Sequence, residues 1–321
     1  MRAYRLVVLG LLFACQSPED RAAKERIFSP EDPPRVLLAA QEVLQPEALD
    51  RPAMAERILS ISAREAAFRI GPHRQEARTR FRWTRGERKV SLDETRLVAV
   101  DPGGDFHVLV ENDQLQGMEW IRLDGISYAR SRYAPFRERR RDRGSSEHVL
   151  DEAYRTLPSF HRLVRGAVKF TAAGTEKVEG REAYRYQASL GSPRAPEDRD
   201  LPPVVFPEGG PDEDTRLRLR ALETGEPTAV SGTLWVDRAS GVPLKAELDA
   251  TLRVPDPEGA AELVLSIRLT TSKIGEPLGL KIPDHLEDAP RPPGPVAILE
   301  AYGFSRRDGS EDGGEGESAE E

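Results

Sequence analysis

From Glu76 onward this chain keeps a period of two, and nothing else in it constrains the fold as much. Thr79, Phe81 and Trp83 alternate with Arg78, Arg80 and Arg82, so an extended backbone sets apolar groups on one side and guanidinium groups on the other. The same alternation runs through Phe106-Val108-Val110, Tyr184-Tyr186-Ala188-Leu190, Leu244-Ala246-Leu248-Ala250-Leu252 and Leu263-Leu265-Ile267-Leu269. Turn sequences separate the runs: Arg85-Gly86, Asp101-Pro102-Gly103-Gly104, Asp124-Gly125, Glu179-Gly180 and Ser240-Gly241. The pattern reads as a meander of roughly ten antiparallel strands, each with one apolar face. A sheet of that kind cannot stay flat and single in water. It must close, stack on a second sheet, or curl around helices.

Helices are at hand. Pro52 to Gly71 places Met54, Ile58, Ile61 and Ala66 near a helical period, and Gly71-Pro72 stops it. Val36 to Leu44 reads as a second helix and Ser145 to Leu157 as a third. The expected class is therefore α+β, with a strongly curved antiparallel sheet covering one or two helices; a β-sandwich is the alternative. Charged residues make up 32% of the chain and aromatics only 6%, so the core has to rely on Val, Leu, Ile and Ala. One domain over residues 36–305 is expected. Three stretches stand apart from it: the proline-containing tether 16–35, the proline-rich insertion 191–214, and the Gly-, Ser-, Glu- and Asp-rich tail 306–321. Their low apolar content predicts disorder.

The first fifteen residues concern location. Arg2 and Arg5 precede an apolar run from Leu6 to Ala14, which ends on Cys15, the only cysteine. A charged start, a short apolar core and a small residue at the cut site make a secretory signal peptide, and the run falls well short of the ~20 apolar residues that span a bilayer. Leu12-Phe13-Ala14-Cys15 resembles the bacterial lipobox, with Phe13 where a smaller residue is usual. That resemblance implies removal of residues 1–14 and lipidation of Cys15 as the first residue of the mature chain. An ordinary secretory signal that happens to contain a cysteine is the alternative. Loss of Arg2 and Arg5 takes the formal charge from −8 to −10, which excludes a general attraction to nucleic acid. One cysteine allows no intrachain disulfide and no cysteine-based zinc cluster.

No catalytic signature is present. The histidines at 73, 107, 148, 161 and 285 lack metal-ligand spacing, and there is no G-x-S-x-G elbow, phosphate-binding loop or dinucleotide fingerprint. Thr270 and Lys273 have the spacing of a nucleophile–lysine pair, but residues three apart on a strand face opposite sides. No enzyme, metal or cofactor is therefore expected. The run Arg137 to Arg143 carries five arginines against two acids. It reads as a solvated loop, with docking on anionic lipid headgroups as the functional alternative.

Two segments resemble a known family. Val178-Glu179-Gly180-Arg181-Glu182-Ala183-Tyr184-Arg185-Tyr186 is similar to a "v-x-G-r-x-a-Y-x-l" hairpin. Gly232-Thr233-Leu234-Trp235-Val236-Asp237-Arg238-Ala239-Ser240-Gly241-Val242-Pro243-Leu244 is similar to the "G-x-x-W-v-D-x-x-t-g-l-P-l" hairpin that follows it. Both patterns are those of the LolA/LolB-like superfamily of envelope proteins, which includes the LppX/LprG lipoproteins, and this chain resembles them in order and spacing over about 100 residues. The resemblance implies a half-barrel that encloses helices and holds an apolar cavity for acyl chains. It would make this chain a membrane-anchored lipoprotein that binds or passes on a hydrophobic ligand, and Gln16 after Cys15, a residue other than aspartate, implies from the lipobox resemblance the periplasmic face of the outer membrane. Phe81, Trp83, Tyr184, Tyr186 and Trp235 are then the candidate cavity lining; plain core is the alternative for each. A structural or interaction lipoprotein with a packed interior remains the competing reading. Mass spectrometry of the mature amino terminus is expected to show a diacylglyceryl-modified Cys15; an unmodified terminus, or a cut elsewhere, contradicts the assignment.

Overall fold

A computed structural model describes residues 44–139, 144–192, 220–255 and 259–287. Cys15, the tether, the expected helix at 36–44 apart from its last residue, most of the proline-rich insertion and the acidic tail lie outside the described residues.

The described chain forms one twelve-stranded, mostly antiparallel sheet. Six strands form a first meander: β1 (His73–Arg85), β2 (Arg88–Val100), β3 (Phe106–Asn112), β4 (Gly117–Leu123), β5 (Ile126–Ser131) and β6 (Phe136–Arg139). A second meander holds β7 (Val168–Val178), β8 (Arg181–Leu190), β9 (Glu226–Asp237), β10 (Pro243–Val254) and β11 (Ala261–Ser272). The two join where β1 pairs antiparallel with β11, from Arg74 opposite Ser272 to Thr84 opposite Glu262. β6 and β7 therefore lie towards opposite edges, and the two-residue β12 (Leu286–Glu287) pairs parallel with β6 at one rim. A single sheet rules out the β-sandwich, and two joined meanders replace the single one expected.

Four helices contribute to the core: α1 (Pro52–Leu59), α2 (Ala63–Ile70), α3 (Ser145–Tyr154) and α4 (Thr156–Leu163). The helix expected over Pro52–Gly71 is two helices. Ser62 stops continuity by capping α2, its hydroxyl accepting from the Glu65 amide at 3.2 Å, and the Ser-x-x-Glu order is the usual start signal. Likewise the helix expected to end at Leu157 breaks at Arg155, and α4 continues to Leu163. Pro158 is tolerated there because first-turn amides have no intrahelical partner.

The helices share one apolar face with the sheet. α1 and α4 pack with the inner residues of β1 and β7 to β11, including Leu248, Leu252, Leu265 and Ile267. α2 and α3 pack with Val98, Val100, Phe106, Val108 and Trp120 of β2 to β4. The chain passes from the β6 edge to the β7 edge through α3 and α4, so both apolar clusters lie along one connection.

The two motif segments are tied to each other. Asp237, 1% exposed, accepts two hydrogen bonds from the Arg181 guanidinium at 2.9 and 2.8 Å. The same carboxylate accepts from the Ser240 amide at 2.9 Å and from its hydroxyl, closing the β9–β10 turn. Glu179 and Gly180, at φ 50° and 76°, form the tight turn that delivers Arg181. Further along β9, Gly232 sits at φ 131°, and a Cβ there would lie 2.0 Å from the Glu247 carbonyl oxygen, so only glycine lets β9 and β10 approach so closely. Replacing Arg181 with Ala leaves a buried carboxylate without its cation. Urea unfolding is expected to show a loss of about 3 kcal/mol; a loss below 1 kcal/mol would mean that Ser240 satisfies Asp237 unaided.

Candidate ligand cleft

α4 carries Thr156, Leu157, Phe160 and Leu163 on its buried side. Beneath it lies a half-open cleft of about 220 Å³ between this helix and strands β1, β2 and β11. The sheet register builds its floor, with Phe81 opposite Leu265 and Thr79 opposite Ile267. Phe160 and Leu163 form the roof, and Leu222, from the helical turn at 220–224, closes one flank.

The lining changes character along its length. Thr79 pairs with Glu94 across β1 and β2, and Glu94 accepts from the Arg96 Nε at 2.7 Å. Arg96 Nη1 also donates to the Glu152 carbonyl at 2.7 Å, which brings the α3–α4 junction against this polar end. Thr156 is 4% exposed, and its Oγ1 has no hydrogen-bond partner among the described residues. Ser159 and the exposed Arg162 complete the mouth.

Of the residues expected to line a cavity, Phe81 alone lines this cleft. Trp83 follows on the same face of β1 but is buried in the core, with its Nε1 unpartnered. Tyr184 and Tyr186 lie on that face too, in edge-to-face contact at 6.4 Å, packed into the same core. Burial pushes the Tyr186 phenol up. Trp235 departs from the expectation: it lies on the opposite face. It packs there with Val178, Ala183 and Leu244, donates to Glu176 at 2.9 Å and carries the Lys245 ammonium 4.6 Å from its ring centre. The register slips at Leu244 between Pro243 and Lys245, and a one-residue bulge of this kind turns Leu244 towards Trp235. Cys15 lies outside the described residues. Sequence reasoning missed α4 as a wall of the cleft, although Leu157, Phe160 and Leu163 carry the helical spacing that marks it.

Several other polar groups on the helix side are paired, whereas Trp120 Nε1 and the Tyr186 hydroxyl, like Trp83 Nε1, have no partner among the described residues. Glu147 of α3 pairs with both Arg64 and Arg122. His73, fully buried, donates from Nδ1 to the Gly71 carbonyl at 3.0 Å and accepts at Nε2 from the Tyr154 hydroxyl at 3.2 Å. On the opposite face, Glu119 binds His107 and Arg130, each at 2.8 Å, and the His107 bond chiefly holds its carboxyl below the usual range. Among the described residues no group of three His, Cys, Asp or Glu is placed to hold a metal ion, and no helix is long and apolar enough to cross a membrane.

Burial lowers the His73 pKa below its ordinary 6.5, against a smaller opposing effect of the Gly71 carbonyl. The unfolded chain then binds the proton more readily, so stability falls as pH drops through 6.5 and levels off below the folded value. In urea titrations across pH 7.5 to 4.5, His73→Gln is expected to remove that component of the slope; an unchanged slope contradicts it.

No protein-family model matches this sequence, and no curated protein matches it. Among solved structures the chain is similar to LprF from Mycobacterium bovis, at 14% identity, covering 72% of this chain and 97% of that one, with a TM-score of 0.30. It is similar to the LolA superfamily protein NE2245 from Nitrosomonas europaea at 12% identity, covering 67% and 92%, with a TM-score of 0.20. A putative outer membrane lipoprotein-sorting protein domain from Vibrio parahaemolyticus is similar at 12% identity, covering 71% and 95%, with a TM-score of 0.21. Each resembles this chain over most of the length of both.

Proposed function

We propose that this chain is an envelope lipoprotein, anchored through Cys15 at the periplasmic face of the outer membrane, that holds a hydrophobic ligand and carries out no catalysis. In this reading the sheet curls as a half-barrel over its four helices, and an acyl chain occupies the space beneath α4. The observation that carries it is the cleft itself: an apolar floor and roof from Phe81, Leu265, Ile267, Phe160, Leu163 and Leu222 left accessible from one side. Apolar surface of that kind favours occupation by a chain, at about 0.8 kcal/mol for each methylene taken from water. The signal-like start supports export, and the resemblance of the two hairpin segments supports the ligand class.

A structural lipoprotein without ligand is the second reading. The burial of Trp83, Tyr184 and Tyr186 in packed core favours it. Native mass spectrometry of protein extracted from membranes distinguishes the two. A co-purifying lipid mass is expected, and Phe81→Asp is expected to abolish it while circular dichroism stays unchanged, since Phe81 is only half-buried. Lipid-free protein that also takes up no apolar probe leaves the structural reading standing.

A further inference from the structure

The cleft is small and chemically two-ended, and both properties restrict what enters it. At about 220 Å³ it lies below the roughly 300–1,000 Å³ of pockets that enclose drug-sized ligands, so it suits one hydrocarbon chain rather than a multi-chain lipid. The apolar end lies between Phe81, Leu265 and Leu163. The other end holds Thr156, which is 4% exposed and whose hydroxyl has no partner among the described residues. Leaving such a hydroxyl unpaired costs about 1–3 kcal/mol, which a ligand oxygen would offset.

The charges at that end are not balanced. Arg96 is matched by Glu94, whereas Arg162 lines the mouth without an ion pair among the described residues. Long side chains on a helix lean back over the preceding turn, which for Arg162 is the turn of Ser159, and both line the cleft together with Thr156. A cation and a buried hydroxyl in one cleft, neither partnered among the described residues, suit a compact anion. Building on the ligand-holding reading above, we infer that the cleft takes a single-chain amphiphile with an anionic head, a carboxylate or a phosphate monoester. Arg162 and the Thr156 hydroxyl bind the head, and the tail lies beneath α4.

Displacement of Nile red from the full chain tests this with palmitate, monohexadecyl phosphate and methyl palmitate as competitors. Palmitate or the phosphate is expected to compete about tenfold better than the uncharged ester, the gain of a hydrogen bond to a charged group. The better acid of the two identifies the head. Arg162→Gln, at an exposed position, is expected to erase the difference between acid and ester. Thr156→Val is expected to weaken the acids and spare the ester. Equal competition by palmitate and its ester, or an acid preference that survives Arg162→Gln, overturns the inference while leaving a hydrophobic site in place. If the chain takes up neither Nile red nor any competitor, the ligand-holding reading itself fails, and this inference with it.

Discussion

The pairing of β1 with β11 is the constraint on which the rest of the structure depends. It sets residues near 80 beside residues near 265, so most of the chain must be threaded between the partners before the seam can close. Each meander could form locally from its hairpins, but only the seam makes them one sheet with one continuous apolar face. It also fixes the path between them. With β6 and β7 towards opposite edges, the connection has to travel across the sheet, and α3 and α4 are that connection. The cleft lies against the seam because its floor comes from β1, β2 and β11 and its roof from the helix that crosses them.

Charge is distributed to suit this arrangement. The side of β1, β2, β10 and β11 turned away from the helices is rich in arginine and acid, with Arg80 paired to Asp93 and Arg268 to Asp249. Exposed pairs of this kind contribute little to stability; they keep a broad sheet soluble. Several polar groups on the helix side are held in networks, as His73 with Tyr154 and Glu147 with its two arginines show. Burying a polar group without such a partner costs stability. Among the described residues Thr156, like Trp83, Trp120 and Tyr186, buries a polar atom without a partner, and it does so in the cleft that Arg162 also lines.

Much of this was legible in the sequence, and what was not has physical reasons. The alternation around Phe81 and along Leu263 to Leu269 marks strands because one face is buried, and Glu179-Gly180 marks a turn because its backbone needs positive φ. The helix break at Ser60–Ser62 depends on the Ser62 cap, which outweighs an unbroken apolar period; the break at Arg155 has no side-chain cap and falls where Pro158 cannot donate back to the Tyr154 carbonyl. Trp235 was assigned to the helix face with Tyr184 and Tyr186; register decides that, and register is a property of two strands rather than one. The seam could not be read at all, since alternation says that a strand has a partner but not which. Arg181 and Asp237 stood out as motif residues; the structure gives them a structural task, tying β8 to the β9–β10 turn, and places the cleft elsewhere on the sheet.

The most direct test of the account is to locate a bound chain. Methyl-resolved NMR of the protein loaded with isotope-labelled palmitate would report which side chains the hydrocarbon touches. The account predicts intermolecular contacts to the methyl groups of Leu163, Leu222, Leu265 and Ile267 at the seam. Contacts confined to Val98, Val108 and the other residues beneath α2 and α3, or none to any of these side chains, would contradict it.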